Sequence, residues 1–160
     1  MDYLWTPWRY QYVSQAGPNQ LCIFCEALKR NQDESAFILF RGQHNFILLN
    51  RYPYTTGHAM IAPYKHVGEL DQADPDTLSE MILLCQRFQR ALAAVYKPDA
   101  YNLGMNLGRV AGAGVAEHLH MHVLPRWAGD TSFMTTIGET RIEPEDLGVT
   151  YKKLKARFEK

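Results

Sequence analysis

Apolar residues follow two different rhythms along this chain. From residue 36 they fall in short runs, Phe37-Ile-Leu-Phe40, then Phe46-Ile-Leu-Leu49, then Ala59-Met-Ile-Ala62 led by His58. Each run is closed by a breaker: Arg41-Gly42, Arg51-Tyr52-Pro53 or Pro63. Runs of this length between such breakers read as strands, and short turns between successive strands predict antiparallel pairing. At residue 74 the rhythm changes. Leu78, Met81, Ile82, Cys85, Phe88, Leu92, Val95 and Tyr96 recur at helical spacing, which predicts one long amphipathic helix. Asp74 is expected to cap it through its side chain, Pro75 suits the first helical position, and Pro98 closes it. Cys85 lies on the apolar stripe, so it reads as a buried structural thiol. Two more strands are expected at residues 101–106 and 118–124, split by a glycine-bearing loop. Ahead of all the strands, residues 21–25 lead into a polar, helical stretch to about residue 34. Four or five strands with one long helix make an α+β domain, and 160 residues fit one domain.

Composition narrows the function classes. Lys plus Arg equals Asp plus Glu, 17 against 17, whereas a nucleic-acid binder of this size normally carries a basic excess. The late cluster Lys152, Lys153, Lys155, Arg157 and Lys160 is interrupted by Glu159 and reads as a solvated helix end. A zinc-dependent nucleic-acid module built on Cys22 and Cys25 is disfavoured for the same reason of charge. The first residues lack a cationic start and a long apolar run, so no signal peptide is expected. The apolar stretches are too short to cross a bilayer, and a cytoplasmic protein without membrane or nucleic-acid partners is expected. Residues 1–20 form an aromatic N-terminal extension (Tyr3, Trp5, Trp8, Tyr10, Tyr12), expected to pack on the domain or on a partner subunit. Residues 135–160 form a C-terminal extension. Three cysteines make no disulfide framework, and Cys22-x-x-Cys25 has a metal or redox spacing.

The stretch Glu117-His118-Leu-His120-Met-His122-Val-Leu-Pro125 carries the chemistry. On a strand, alternate side chains share a face, so His118, His120 and His122 stand on one side and Leu119, Met121 and Val123 on the other. The apolar set suits the core; three aligned imidazoles do not serve packing. A metal held by all three is disfavoured, because His118 and His122 attach about 13 Å apart while zinc holds its ligands at about 2.0–2.1 Å. Neighbouring histidines stand ~6.6 Å apart along a strand, a separation that a phosphate bridges. One can then attack phosphorus while the next bonds the leaving oxygen. Histidine offers both neutral nucleophile and cationic acid near neutrality, and attack by an imidazole gives a covalent intermediate. The preceding loop, with Gly108, Arg109, Gly112 and Gly114, suits an anion cradle of backbone amides.

His118-Leu-His120-Met-His122-Val-Leu resembles the signature of the histidine-triad (HIT) nucleotide hydrolases and transferases. The likeness runs from about Cys22 to Phe133 and takes in Asn50, Pro53 through His58, the helix from Pro75, and Asn106. Leu4-Trp-Thr-Pro-Trp-Arg9 and Pro125-Arg-Trp-Ala-Gly-Asp130 look most like the branch of bacterial diadenosine tetraphosphate phosphorylases and fragile-histidine-triad hydrolases. The resemblance implies a HIT-like fold, an antiparallel sheet of about five strands with one long helix and a shorter N-terminal helix, in a homodimer. It implies that His120 becomes nucleotidylated at the α-phosphate of a dinucleoside polyphosphate or nucleoside monophosphate conjugate. His122 would assist at the leaving group, with His118 completing the row. Asn50 would meet the ribose, and Asn106, Gly112 and Gly114 the phosphates. Val115 stands where many relatives have Ser or Thr, which leaves water and phosphate both open as acceptors, and leaves a nucleotide-binding regulatory role as the alternative. By the same resemblance Cys22, Cys25, His66 and His118 would hold a structural zinc, a sound closed tetrahedral set.

Overall fold

The computed structural model describes residues 21–30, 32–131 and 145–159. The aromatic extension at residues 1–20 and the first part of the C-terminal extension lie outside the described residues. The described elements run in the order α1 (Ile23–Lys29), α2 (Asp33–Ala36), β1 (Ile38–Arg41), β2 (Asn45–Leu49), β3 (Ala59–Pro63), a 3-10 turn (Leu70–Gln72), α3 (Pro75–Tyr96), β4 (Ala100–Gly104), β5 (Met121–Arg126) and α4 (Leu147–Lys155). The five strands form one antiparallel sheet in the order β1-β2-β3-β5-β4. The α+β class expected from the sequence is the observed one.

Both β2 and β3 are buried at every position because the sheet is covered on two sides. On one face Leu39, Ile47, Leu49, Ala59, Ile61, Leu119 and Val123 meet Met81, Leu84, Cys85, Phe88 and Leu92 of α3, with Tyr151 and Leu154 of α4. On the other, Ile38, Phe46, Leu48, Met60 and Ala62 pack against Phe24, Ala27 and Ala36 from the two short helices. The continuous apolar runs in the sequence thus serve two cores instead of one. Leu119 and Val123 are buried among the α3 side, as alternation requires, and the histidine face turns toward Phe24.

Several local expectations need correction. The Asp74 side chain makes no capping bond; its carboxylate pairs with Lys65 instead. Pro75 does open α3, and Lys97, at φ 47°, closes it one residue before Pro98. Ile82 sits at the margin of the apolar stripe and is 58% exposed. The basic cluster does keep Lys152 and Lys153 in solvent, but the helix that carries them is capped by Asp146 and buries Thr150, Tyr151 and Leu154. The last strand begins at Met121, three residues later than the pattern suggests. Pro63, at the end of β3, has no N–H to extend the ladder. Leu119 N–H donates instead to the Val67 carbonyl at 2.6 Å.

Candidate active site and metal centre

The interruption at Pro63 places the first histidine. His118, 1% exposed, donates from Nε2 to the Pro63 carbonyl at 2.9 Å. A carbonyl only accepts, so the proton of the neutral ring sits on Nε2 and the Nδ1 lone pair is left to face elsewhere. It faces Cys22 Sγ at 3.2 Å, His66 Nδ1 at 3.3 Å and Cys25 Sγ at 3.7 Å, while Cys25 Sγ lies 3.4 Å from His66 Nδ1. All four atoms fall within 4.8 Å of one another. A tetrahedron with zinc's usual bond lengths has edges of about 3.3 Å between nitrogens and about 3.8 Å between sulfurs, so the donor set fits such an ion in both chemistry and spacing. Burial, ahead of other influences, raises the Cys22 thiol above its usual value, a cost that a bridging cation removes by binding thiolate. Cys22 is the N-cap residue of α1 and Cys25 lies in its first turn, which is how two residues three apart converge on one point.

His120 is held by the same lead-in to β5. Its Nδ1 donates to the His118 carbonyl at 2.7 Å, so Nε2 carries the lone pair. Burial, the leading influence, holds its pKa below the ordinary value, keeping that lone pair unprotonated near neutrality. The ring lies 5.0 Å from that of Phe24 and 4.9 Å from that of His122, the latter edge-on at 71°.

His122 has the opposite polarity, and His58 sets it. Tyr54 N–H donates to His58 Nδ1 at 3.1 Å, so the His58 proton sits on Nε2, which meets His122 Nδ1 at 2.9 Å. His122 Nδ1 therefore accepts, and its own proton is displaced to Nε2. Burial first, then the neighbouring His120, lowers the His122 pKa to about 4, which keeps this ring neutral at physiological pH. Adjacent imidazoles thus present a bare nitrogen on His120 and an N–H on His122. That arrangement suits an attack on phosphorus at one atom and a hydrogen bond to the departing oxygen at the next.

His58 was not among the residues singled out from sequence, although it is fully buried in the site. The register would have found it: Met60 pairs with His122, and His58, two residues from Met60, projects to the same face. Asn50, just past β2, contributes to this end of the site. Its side-chain amide lies 3.3 Å from His58 Nδ1, and its Oδ1 accepts from Tyr52 N–H at 3.0 Å. Asn106 stands two residues beyond Gly104, whose ladder partner is His122. In the loop, Gly112 adopts φ 92°, but its N–H is used within the loop, donating to the Arg109 carbonyl at 3.0 Å. The amide cradle expected there therefore does not include Gly112 as it stands. Val115 packs against the Phe24 side of the sheet.

A HIT domain family model matches residues 31–129, and the chain belongs to that family. It is 38% identical over 159 residues to the AP-4-A phosphorylase of Mycobacterium tuberculosis, covering 94% of this chain and 81% of the relative. Among solved structures, a Zn-bound histidine triad family protein from Mycobacterium smegmatis superposes with a TM-score of 0.70 at 27% identity, covering 86% of this chain and 93% of that one. A histidine triad nucleotide-binding protein from Sulfolobus tokodaii superposes with a TM-score of 0.69 at 28% identity, covering 86% and 92%. The described residues hold no helix long and apolar enough to cross a membrane.

Proposed function

We propose that the protein is a HIT-family nucleotidyl hydrolase or phosphorylase that cleaves at the α-phosphate of a dinucleoside polyphosphate of the diadenosine tetraphosphate type, or of a nucleoside monophosphate conjugate. The observation that carries this reading is the His120 Nδ1–H bond to the His118 carbonyl, which reserves Nε2 for phosphorus. The Nε2 lone pair forms an N–P bond as the bond from phosphorus to the leaving oxygen or nitrogen breaks. The His122 Nε2–H donates a hydrogen bond to the leaving atom, which departs as a polyphosphate anion or, for an amine, with a proton taken from water. An acceptor, water or inorganic phosphate, then attacks phosphorus, its O–H proton passes to solvent, and the N–P bond breaks to free His120. Asn50 and Asn106 are assigned to the ribose and phosphates, with Gly114 and the rest of the glycine loop beside them. Gly112 would join only with its turn bond released.

Cys22, Cys25, His66 and His118 would hold zinc, whose contribution when bound is a structural crosslink between α1 and the lead-in to β5. The similarity to a Zn-bound relative supports this assignment. A homodimer in the cytoplasm is the expected setting; for the dimer, support comes from β4, which among the described residues ends the sheet with Leu103 52% exposed.

The test is mass spectrometry of the products from a panel of dinucleoside polyphosphates, with and without added phosphate, beside a His120→Ala variant. The wild type should release a nucleoside monophosphate into water, or a diphosphate when phosphate accepts the nucleotidyl group. His120→Ala should lose several decades of turnover, each about 1.36 kcal/mol of barrier, while still binding nucleotide. Substantial turnover by that variant would refute the assignment.

A further inference from the structure

Phe24 belongs to neither the metal set nor the histidine row, yet it touches both. It lies on α1 between the two cysteines, is wholly buried, and packs on Ile38, Phe46, Leu48 and Met60 of the sheet or their neighbours in the second core. Its ring lies 4.9 Å from that of His118, tilted by 42°, and 5.0 Å from that of His120, tilted by 39°. Centroid separations in this range are those of paired rings in direct contact.

His120 needs such a contact. Its Nε2 faces phosphorus only while the imidazole keeps one setting about its Cβ–Cγ bond. A half-turn about that bond carries Nδ1 away from the His118 carbonyl and moves the lone pair with it. The one hydrogen bond that opposes the turn is neutral, and a neutral bond biases a two-state choice by only about fivefold. An aromatic neighbour adds a comparable bias, and a wall of packed atoms also removes the space through which the ring would swing. Phe24 is such a wall because its own position is fixed by the sheet behind it.

We propose that Phe24 is a positioning residue that holds the His120 ring in its attacking orientation, so that the segment carrying Cys22 and Cys25 acts on the reaction through this aromatic contact. The inference rests on His120 being the nucleophile. A flip alone, with the fivefold hydrogen-bond bias kept, costs under about twofold in rate; a misplacement of about 1 Å can cost on the order of a hundredfold, so the loss on removing the wall comes chiefly from the His120 ring shifting into the vacated space. Phe24→Leu, which keeps an apolar side chain but removes the ring, should lower kcat tenfold to a hundredfold on diadenosine tetraphosphate and leave KM within about twofold. Phe24→Tyr, which keeps the ring, should recover most of that loss.

Both variants are to be assayed below their melting temperatures, with metal content measured alongside. Histidine labelled with 13C at Cε1 gives a second readout. The His120 signal, assigned by its loss in His120→Ala, should be single in the wild type and doubled or exchange-broadened in Phe24→Leu. Should Phe24→Tyr fail to fold, the labelled Phe24→Leu protein still decides. An unchanged kcat, an unchanged His120 signal, or a kcat loss that only tracks lost metal would overturn the proposal. Acid-sensitive nucleotidyl adducts trapped on wild-type His120 test the nucleophile reading separately. Their absence removes that reading and this inference with it, whereas their presence with wild-type adduct kinetics in Phe24→Leu removes this inference alone.

Discussion

Replacing His58 by alanine tests the polarity of the site without touching either ring that would meet the substrate. His58 makes one bond to His122, Nε2 to Nδ1 at 2.9 Å, and that bond fixes the His122 proton on Nε2. Its loss removes a neutral hydrogen bond with a net value of about 1 kcal/mol, or about fivefold in the population of the useful tautomer. The emptied space lets His122 drift as well, so a tenfold fall in kcat is the expected floor. Removing a hydrogen-bond donor aimed at developing charge costs about 10²–10³-fold, which sets the ceiling. The deficit should depend on the leaving group. With a polyphosphate, which departs as a stable anion, His58→Ala should lose about tenfold; with an alkyl phosphoramidate of AMP, a poorer leaving group that leans more on the His122 N–H as its bond to phosphorus breaks, it should lose about a hundredfold. His58→Gln, which can still offer an N–H to His122, should fall between wild type and alanine. Because His58 is fully buried, the alanine variant should also melt earlier by the equivalent of about 2–4 kcal/mol, so rates are compared well below its Tm. Equal deficits on both leaving groups, or an effect confined to KM, would refute the tautomer argument.

Two further outcomes follow from other parts of the fold. Cys25→Ser should lower bound zinc, measured by elemental mass spectrometry, from about one ion per chain to a small fraction, and should lower Tm even with His120 intact. Equal metal content in variant and wild type would exclude the four-residue site. Glu80→Ala should destabilise the fold by about 2–4 kcal/mol, since the carboxylate accepts from Gln43, His44 and Asn45 N–H and from the Asn45 side chain, and Asn45 is fully buried. Burial would raise the Glu80 pKa, but these donors outweigh it and hold it below 4.5. The stabilisation is therefore present above the unfolded carboxylate pKa and lost as pH falls through the lower folded value. Acid unfolding curves of wild type and variant should converge at the acid end.

How much of this was legible in the sequence varies by element. β1, β2, β3 and α3 were, because an apolar run of four or five residues and a 3.6-residue stripe have different periods; the strands serve both cores and α3 one of them. The histidine row was legible from alternation alone, even though regular strand begins only at Met121. Its partners were less so. His58 reaches His122 across two strands, which no single-strand period reports, and the pairing of Met60 with His122 had to be seen first. Phe24 reads in sequence as an ordinary apolar residue of a polar helix. Asp74 shows the limit of local rules: its capping carboxylate was in the right place, and Lys65, nine residues away, attracted it elsewhere. The burial of Tyr151 and Leu154 was hidden by the lysines between and around them.

Helix α1 spans seven residues, about half the length at which an isolated helix holds together in water. It nevertheless roofs one side of the sheet. An agent that pulls the two cysteines away, whether an alkylating reagent, an oxidant or, with the proposed zinc in place, a chelator, would therefore strip cover from Phe46, Leu48, Met60 and Ala62 together. Such exposed apolar sheet invites self-association, so damage at the thiols should first announce itself as turbidity in the tube.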